Sequence, residues 1–242
     1  MTATRWSPGA TLAWTCLLLA LFYVAQVVFF GVILAASTAP GRTAGESEIA
    51  QLAGNGDFIT AAIFVVDPLC LAALLAIVRA KPGATPADSL AFVPPTLGWM
   101  RTWIPALAAF ALASDLLTWA LGKPVVPEFM QVAWASAEKV SFVAAVILVA
   151  PVTEELIFRG FLISGLRPTR LGASGAVLVS SLVWAVIHGQ YDFYGMASIF
   201  ALGILLGAAR IRTGSVVVPI VLHALSNAIS TVETLVSATG GG

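Results

Sequence analysis

Seven stretches of this chain are apolar over lengths that suit a membrane-crossing helix, and no other feature limits its fold as strongly. A helix needs roughly 20 apolar residues to cross the hydrocarbon core. The stretches near 11–37, 58–80, 102–121, 140–164, 172–190, 194–210 and 214–236 approach or exceed that length, each bounded by Pro, Gly or charged residues. A backbone facing lipid must satisfy its hydrogen bonds internally, and a β-barrel would show short alternating segments instead. The expected fold class is therefore all-α, a polytopic transmembrane helix bundle of about seven spans. Composition agrees: 59% of the 242 residues are hydrophobic and 10% charged, against about 25% charged in soluble domains. The first stretch is longer than the roughly 7–15 apolar residues of a cleavable signal peptide. It reads as a retained helix despite the sequence Ala35-Ala36-Ser37.

Twelve Lys and Arg balance twelve Asp and Glu, and the basic residues form no stripe. Phosphate binding needs clustered cations on one face, so nucleic acid is excluded as a partner. Cys16 and Cys70 lie in apolar stretches without Cys-x-x-Cys spacing and read as packing residues, not as a disulfide or thiolate metal site. Basic residues in short loops set orientation. With a cytoplasmic N-terminus, Arg5, Arg79, Lys81, Arg101, Arg167, Arg170, Arg210 and Arg212 fall inside, and only Arg42, Lys123 and Lys139 fall outside. The chain thus reads as N-terminus in and C-terminus out. The stretch PEFMQVAWASAEK puts Phe129, Met130, Ala133, Trp134 and Ala137 on one helical side. It fits either a helix on the membrane surface or the start of a long fourth span.

Ionisable groups at membrane depth are costly and mark functional paths. The fourth span, VAPVTEELIFRGFLI, carries Glu154, Glu155 and Arg159; the fifth, LVWAVIHG, carries His188; the seventh, VVVPIVLHALSNAIS, carries His223 and Asn227. Both histidines of the chain thus fall in expected spans. Residues four apart share a helix face, so Glu155 and Arg159 can pair and lower each other's burial cost. Glu154, turned about 100° away, lacks that local partner and is free to act as a general base or metal ligand. His223 and Asn227, also four apart, can hold a substrate carbonyl or donate to a developing oxyanion; Asn227 also suits a plain interhelical hydrogen bond. One carboxylate and two imidazoles, Glu154, His188 and His223, are also a ligand set for catalytic zinc with a fourth position for water.

At these residues the chain resembles the CPBP family, the intramembrane proteases that include the CAAX prenyl endopeptidase and the bacteriocin-processing or Abi-type proteins. The family pattern Glu-Glu-x-x-x-Arg is matched by Glu154 to Arg159, and His-x-x-x-Asn by His223 to Asn227. Phe-x-x-x-His is met by Trp184 to His188, with Trp in place of Phe. The resemblance covers about 140–232 and implies a division into N-terminal helices and loops (1–139), a CPBP-like intramembrane protease core of the last four spans (140–236) and a flexible tail (237–242). It implies that Glu154 and His188 activate a water that attacks a peptide carbonyl, that His223 and Asn227 serve the oxyanion or a metal, and that Glu155, Arg159 and Trp184 support the site. It is compatible with a zinc enzyme and with a metal-free one. The implied partner is a peptide or protein substrate in the membrane, prenylated or not, and the expected location is a bacterial plasma membrane.

Two other readings fit the same residues. Asp67, Asp115, Glu154, Glu155, His188 and His223 all lie within expected spans, as in a proton-coupled transporter or relay, although no inverted repeat is visible. A family member that has lost catalysis could serve as a membrane scaffold. Asp67 precedes Pro68, where a helix can kink, and reads as a cap on that break; neither it nor Asp115 belongs to the resemblance. Gly203 and Gly207, four apart in the sixth span, are a helix-packing signal.

Overall fold

The computed structural model describes residues 6–240; Arg5, Gly241 and Gly242 lie outside them. Among the described residues the regular structure is entirely helical. The elements are α1 (Pro8–Ser37), α2 (Glu46–Gly54), α3 (Gly56–Ala80), α4 (Pro86–Leu90), α5 (Trp99–Ala120) and α6 (Glu128–Ser136). They are followed by α7 (Lys139–Leu166), α8 (Gly172–Val186), α9 (Phe193–Thr213) and α10 (Val217–Gly240). Six of these, α1, α3, α5, α7, α9 and α10, are long and apolar enough to cross a membrane. The fifth expected span is the shorter apolar helix α8. The protein is a polytopic helix bundle.

Local chemistry sets the helix ends. Ser7 caps α1 by accepting from the Ala10 N–H, with Pro8 in the first turn, and Asn55 caps α3 by accepting from Phe58. Pro68 does not break α3, which continues through it to Ala80. The stretch around Trp134 is a separate short helix and not the start of the fourth span: α6 ends at Ser136, and Glu138 restarts the chain by capping Val140 and Ser141 at the head of α7. Ala133, Trp134 and Ala137 are buried there with Phe142 in a small satellite core.

The main core joins α3, through Cys70, Leu74 and Val78, to Phe158, Leu162 and Ile163 of α7 and onward to Trp184, Leu206 and Leu222. The pair α8 and α9 packs most closely, and the glycines explain why. A Cβ on Gly203 would stand 2.9 Å from the Ser181 Cβ, and one on Gly207 2.7 Å from a Val177 methyl carbon. Only a bare Cα allows this approach, as the four-residue spacing implied. Large apolar side chains such as Val24, Val27 and Leu17 of α1 stay exposed on the outer face, which in a membrane is the lipid face.

Candidate active site

The site is built on α7, which is not a uniform helix. It widens to a π register at Ala145–Val149, where the Ala150 N–H donates to Ala145 five residues back, and again at Leu156–Leu162. Such single-turn widenings recur at functional sites. Between them stand Glu154 and Glu155. Glu155 and Arg159 form the pair their spacing implied, at 2.9 Å, with both side chains fully buried. A second Arg159 nitrogen donates to the Gly203 carbonyl at 3.4 Å, so the close approach at Gly203 also places an acceptor for the guanidinium.

His223 of α10 brings its Nδ1 to 3.0 Å from the same Glu155 oxygen that pairs with Arg159. Facing a carboxylate, Nδ1 carries the hydrogen, which in the neutral ring leaves the Nε2 lone pair open. Asn227, one turn on, directs its amide nitrogen to the backbone carbonyl of Val146 in α7, at 2.7 Å.

Trp184 of α8 stands at the centre. It is 2% exposed, and its indole N–H donates to Glu154 at 2.5 Å. The Arg159 guanidinium lies 4.2 Å from its ring centroid, within cation–π range, and the rings of His188 and His223 each stand edge-on at 5.2 Å. The indole is thus a polar partner of Glu154 as well as a packing residue. The Trp-for-Phe departure in the motif was the available signal, because only Trp has a ring N–H.

His188 does not lie within a span. Helix α8 ends at Val186, four residues short of the expected boundary, and His188 occupies the turn before Gly189 and Gln190. Its Nδ1 is 2.7 Å from the carbonyl of Trp184; a carbonyl only accepts, so Nδ1 donates and the neutral ring offers its Nε2 lone pair. Tyr191 lies 6.3 Å away, ring to ring, in the same turn. Asp192 anchors that turn, capping α9 through Gly195 and pairing with Lys123 at 2.8 Å. The Lys123 hydrogen bond, followed by that of the Gly195 N–H, holds its carboxyl below the usual carboxylate range.

Two further acids are placed. Asp67 of α3, 5% exposed, does not cap a helix break; its carboxylate takes a hydrogen bond from Thr153 and lies within electrostatic reach of Glu154. It is the residue that the sequence motifs missed, since it comes from outside the resemblance. Asp115 hydrogen-bonds with Glu233, joining α5 to α10, and makes none of the contacts above. The ligand set expected for zinc, Glu154, His188 and His223, surrounds the Trp184 ring without converging on one point. Among the described residues no three His, Cys, Asp or Glu side chains are grouped to hold a metal ion.

Residues 136–229 match the family model of the type II CAAX prenyl endopeptidases, Rce1-like. Over these residues, less than half of the chain, it is similar to that family. It is similar to an uncharacterized 24.3 kDa protein of Escherichia coli, 30% identical over 143 residues that cover 53% of this chain and 64% of the other. It is also similar to the membrane-embedded CAAX protease MroQ of Staphylococcus aureus, 32% identical over 91 residues, 36% of each chain. The matched part spans less than two thirds of either relative. No solved structure matches. The CPBP match takes in α7 to α9 and α10 as far as Ala228 and Ile229, so Glu154, Glu155, Arg159, Trp184, His188, His223 and Asn227 all lie within it, and Asp67 does not.

Proposed function

We propose that the protein is an intramembrane endopeptidase that hydrolyses a peptide bond of a membrane-associated substrate, with Glu154 and His188 activating the attacking water. The observation that carries this reading is their shared anchor: Glu154 accepts from the Trp184 ring while His188 donates to the Trp184 backbone carbonyl. One buried residue thus fixes both a carboxylate and an imidazole, and leaves a carboxylate oxygen and Nε2 to take a proton. A base must reach its proton within hydrogen-bond distance, directly or through one water. In the step envisaged, a water proton passes to Glu154 or to His188 Nε2, the water oxygen adds to the peptide carbonyl carbon, and the proton is then delivered to the leaving amine nitrogen. His223, held by Glu155, is assigned to the developing oxyanion, to which it would donate from Nε2.

Membrane depth of the acids, the CPBP match and the CAAX protease named among the relatives support a membrane-embedded substrate, of which a prenylated CAAX peptide is the first to test. The two bacterial relatives and the short basic loops support a bacterial plasma membrane, N-terminus inside and C-terminus outside. In purified protein, Glu154→Ala and His188→Ala should each fold yet lower cleavage by about 10²–10⁴-fold, the usual worth of a positioned acid or base. Retained cleavage in either variant rejects the assignment. Elemental analysis with chelation and zinc add-back decides metal dependence: a zinc-free preparation with full activity removes zinc from the chemistry. Comparing the membrane proteome of wild-type and Glu154→Ala cells names the substrate class by the peptide whose processing disappears.

A further inference from the structure

Asn227 points at backbone, not at open space, and the reason lies in the sequence of α7. In a regular helix the Val146 carbonyl would accept from the N–H four residues on, that of Ala150. Here the Ala150 N–H donates to Ala145 instead, in the wider register. In that register the next donor in line for Val146 is residue 151, which is Pro151 and has no N–H. With Ala150 committed to Ala145 and Pro151 lacking an N–H, the Val146 carbonyl has no helix donor. At membrane depth no water replaces it, and an unpaired carbonyl there is costly. The Asn227 amide nitrogen, 2.7 Å away, supplies the bond.

We propose that Asn227 is a positioning residue that donates to the carbonyl Pro151 leaves bare, clamping α10 to the turn of α7 that leads into Glu154 and Glu155. The same two helices are joined at His223 and Glu155, so the clamp fixes how far His223 stands from the carboxylates. One of the two Asn227 amide N–H groups is committed to Val146.

Restoring the missing donor tests this. In Pro151→Ala, residue 151 regains an N–H and the Val146 carbonyl can return to the helix ladder. In full-length protein in detergent, Asn227→Ala should lower the unfolding midpoint by on the order of 5 °C, from the loss of one buried hydrogen bond in a chain of this size. In the Pro151→Ala background the loss should shrink to less than half. The kinetic arm rests on the peptidase reading and uses a farnesylated CAAX peptide as probe: the kcat penalty of Asn227→Ala should shrink in parallel in the Pro151→Ala protein. An equal kcat penalty in both backgrounds, or a midpoint unmoved by Asn227→Ala, overturns the clamp. Should Pro151→Ala fail to fold, the midpoints of Asn227→Ala and Asn227→Asp decide alone, because an ionised Asp has no hydrogen to donate: lowering in both supports the clamp and no change rejects it. A protein that cleaves no probe but shows the thermal rescue keeps the clamp and loses only the peptidase reading.

Discussion

Helices α1 and α7 are 30 and 28 residues long and both apolar enough to cross a membrane, yet only 6% of the most apolar part of α1 is buried inside the protein, against 39% for α7. Hydropathy alone cannot tell them apart, because lipid and protein interior are equally apolar surroundings. Polar residues can. Helix α7 carries Glu154, Glu155 and Arg159, which must find partners within the protein, and its neighbours are arranged to supply them. Helix α1 has no charged residue among its 30 and presents Val24, Val27 and Val28 outward. Burial in a membrane bundle follows the need to satisfy polar groups more than the need to hide apolar ones.

The sharpest way to break this contrast is to unbalance the charge in α7. Removing one partner of a buried pair leaves the other uncompensated, at a cost of about 3–5 kcal/mol. Glu155→Ala, which strands Arg159 and frees His223, should therefore unfold at much lower temperature in detergent. The double variant Glu155→Gln with Arg159→Met should recover a large part of that loss, since neither charge remains. A double variant no better than the single one would mean that the ion pair itself, and not the stranded charge, carries the stability.

Shape gives the next largest effect. Leu162 of α7 is 1% exposed, and truncating a buried leucine costs about 2–5 kcal/mol through lost transfer energy and the cavity left behind. Leu162→Ala should lower the unfolding midpoint accordingly. A smaller effect is expected at Trp184→Phe, which restores the residue of the family pattern. The ring stays and the donor to Glu154 goes. A hydrogen bond to a charged group is worth about 1.5–3 kcal/mol, so cleavage measured as kcat should fall by about 10- to 100-fold with the midpoint changed far less. An unchanged kcat would show that the indole N–H does not position Glu154 for the reaction.

The contrast also separates what was legible in the sequence from what was not. Span positions followed from apolar length, and the Glu155–Arg159 pair followed from local helix geometry, because both depend only on neighbours along the chain. The end of α8 at Val186, the indole bond to Glu154 and the approach of Asp67 depend on how helices rotate against one another, and no pattern within one segment sets that rotation. Val146 is the intermediate case. Pro151 lacks an N–H, but only the wider register of α7 shows that the bare carbonyl is that of Val146, and only the packing of α10 shows that Asn227 answers it. The residues with the most long-range polar contacts are thus those whose roles the sequence left open.

The smallest expected effect completes the comparison with α1. Leu17 is 57% exposed, and its side chain faces the surroundings where Leu162 faces protein. If those surroundings are lipid, Leu17→Ala removes contacts that acyl chains refill, leaves no fixed cavity and should change stability by less than about 0.5 kcal/mol, the range of surface substitutions. The chemical change is identical to that at Leu162, so the ratio of the two costs measures the difference in packing directly. A Leu17→Ala penalty that approaches the Leu162 value, and that grows with protein concentration in the detergent, would mean that the outer face of α1 packs on a second protein surface instead of lipid. The burial contrast between the two helices would then belong to the isolated chain and not to the assembled one.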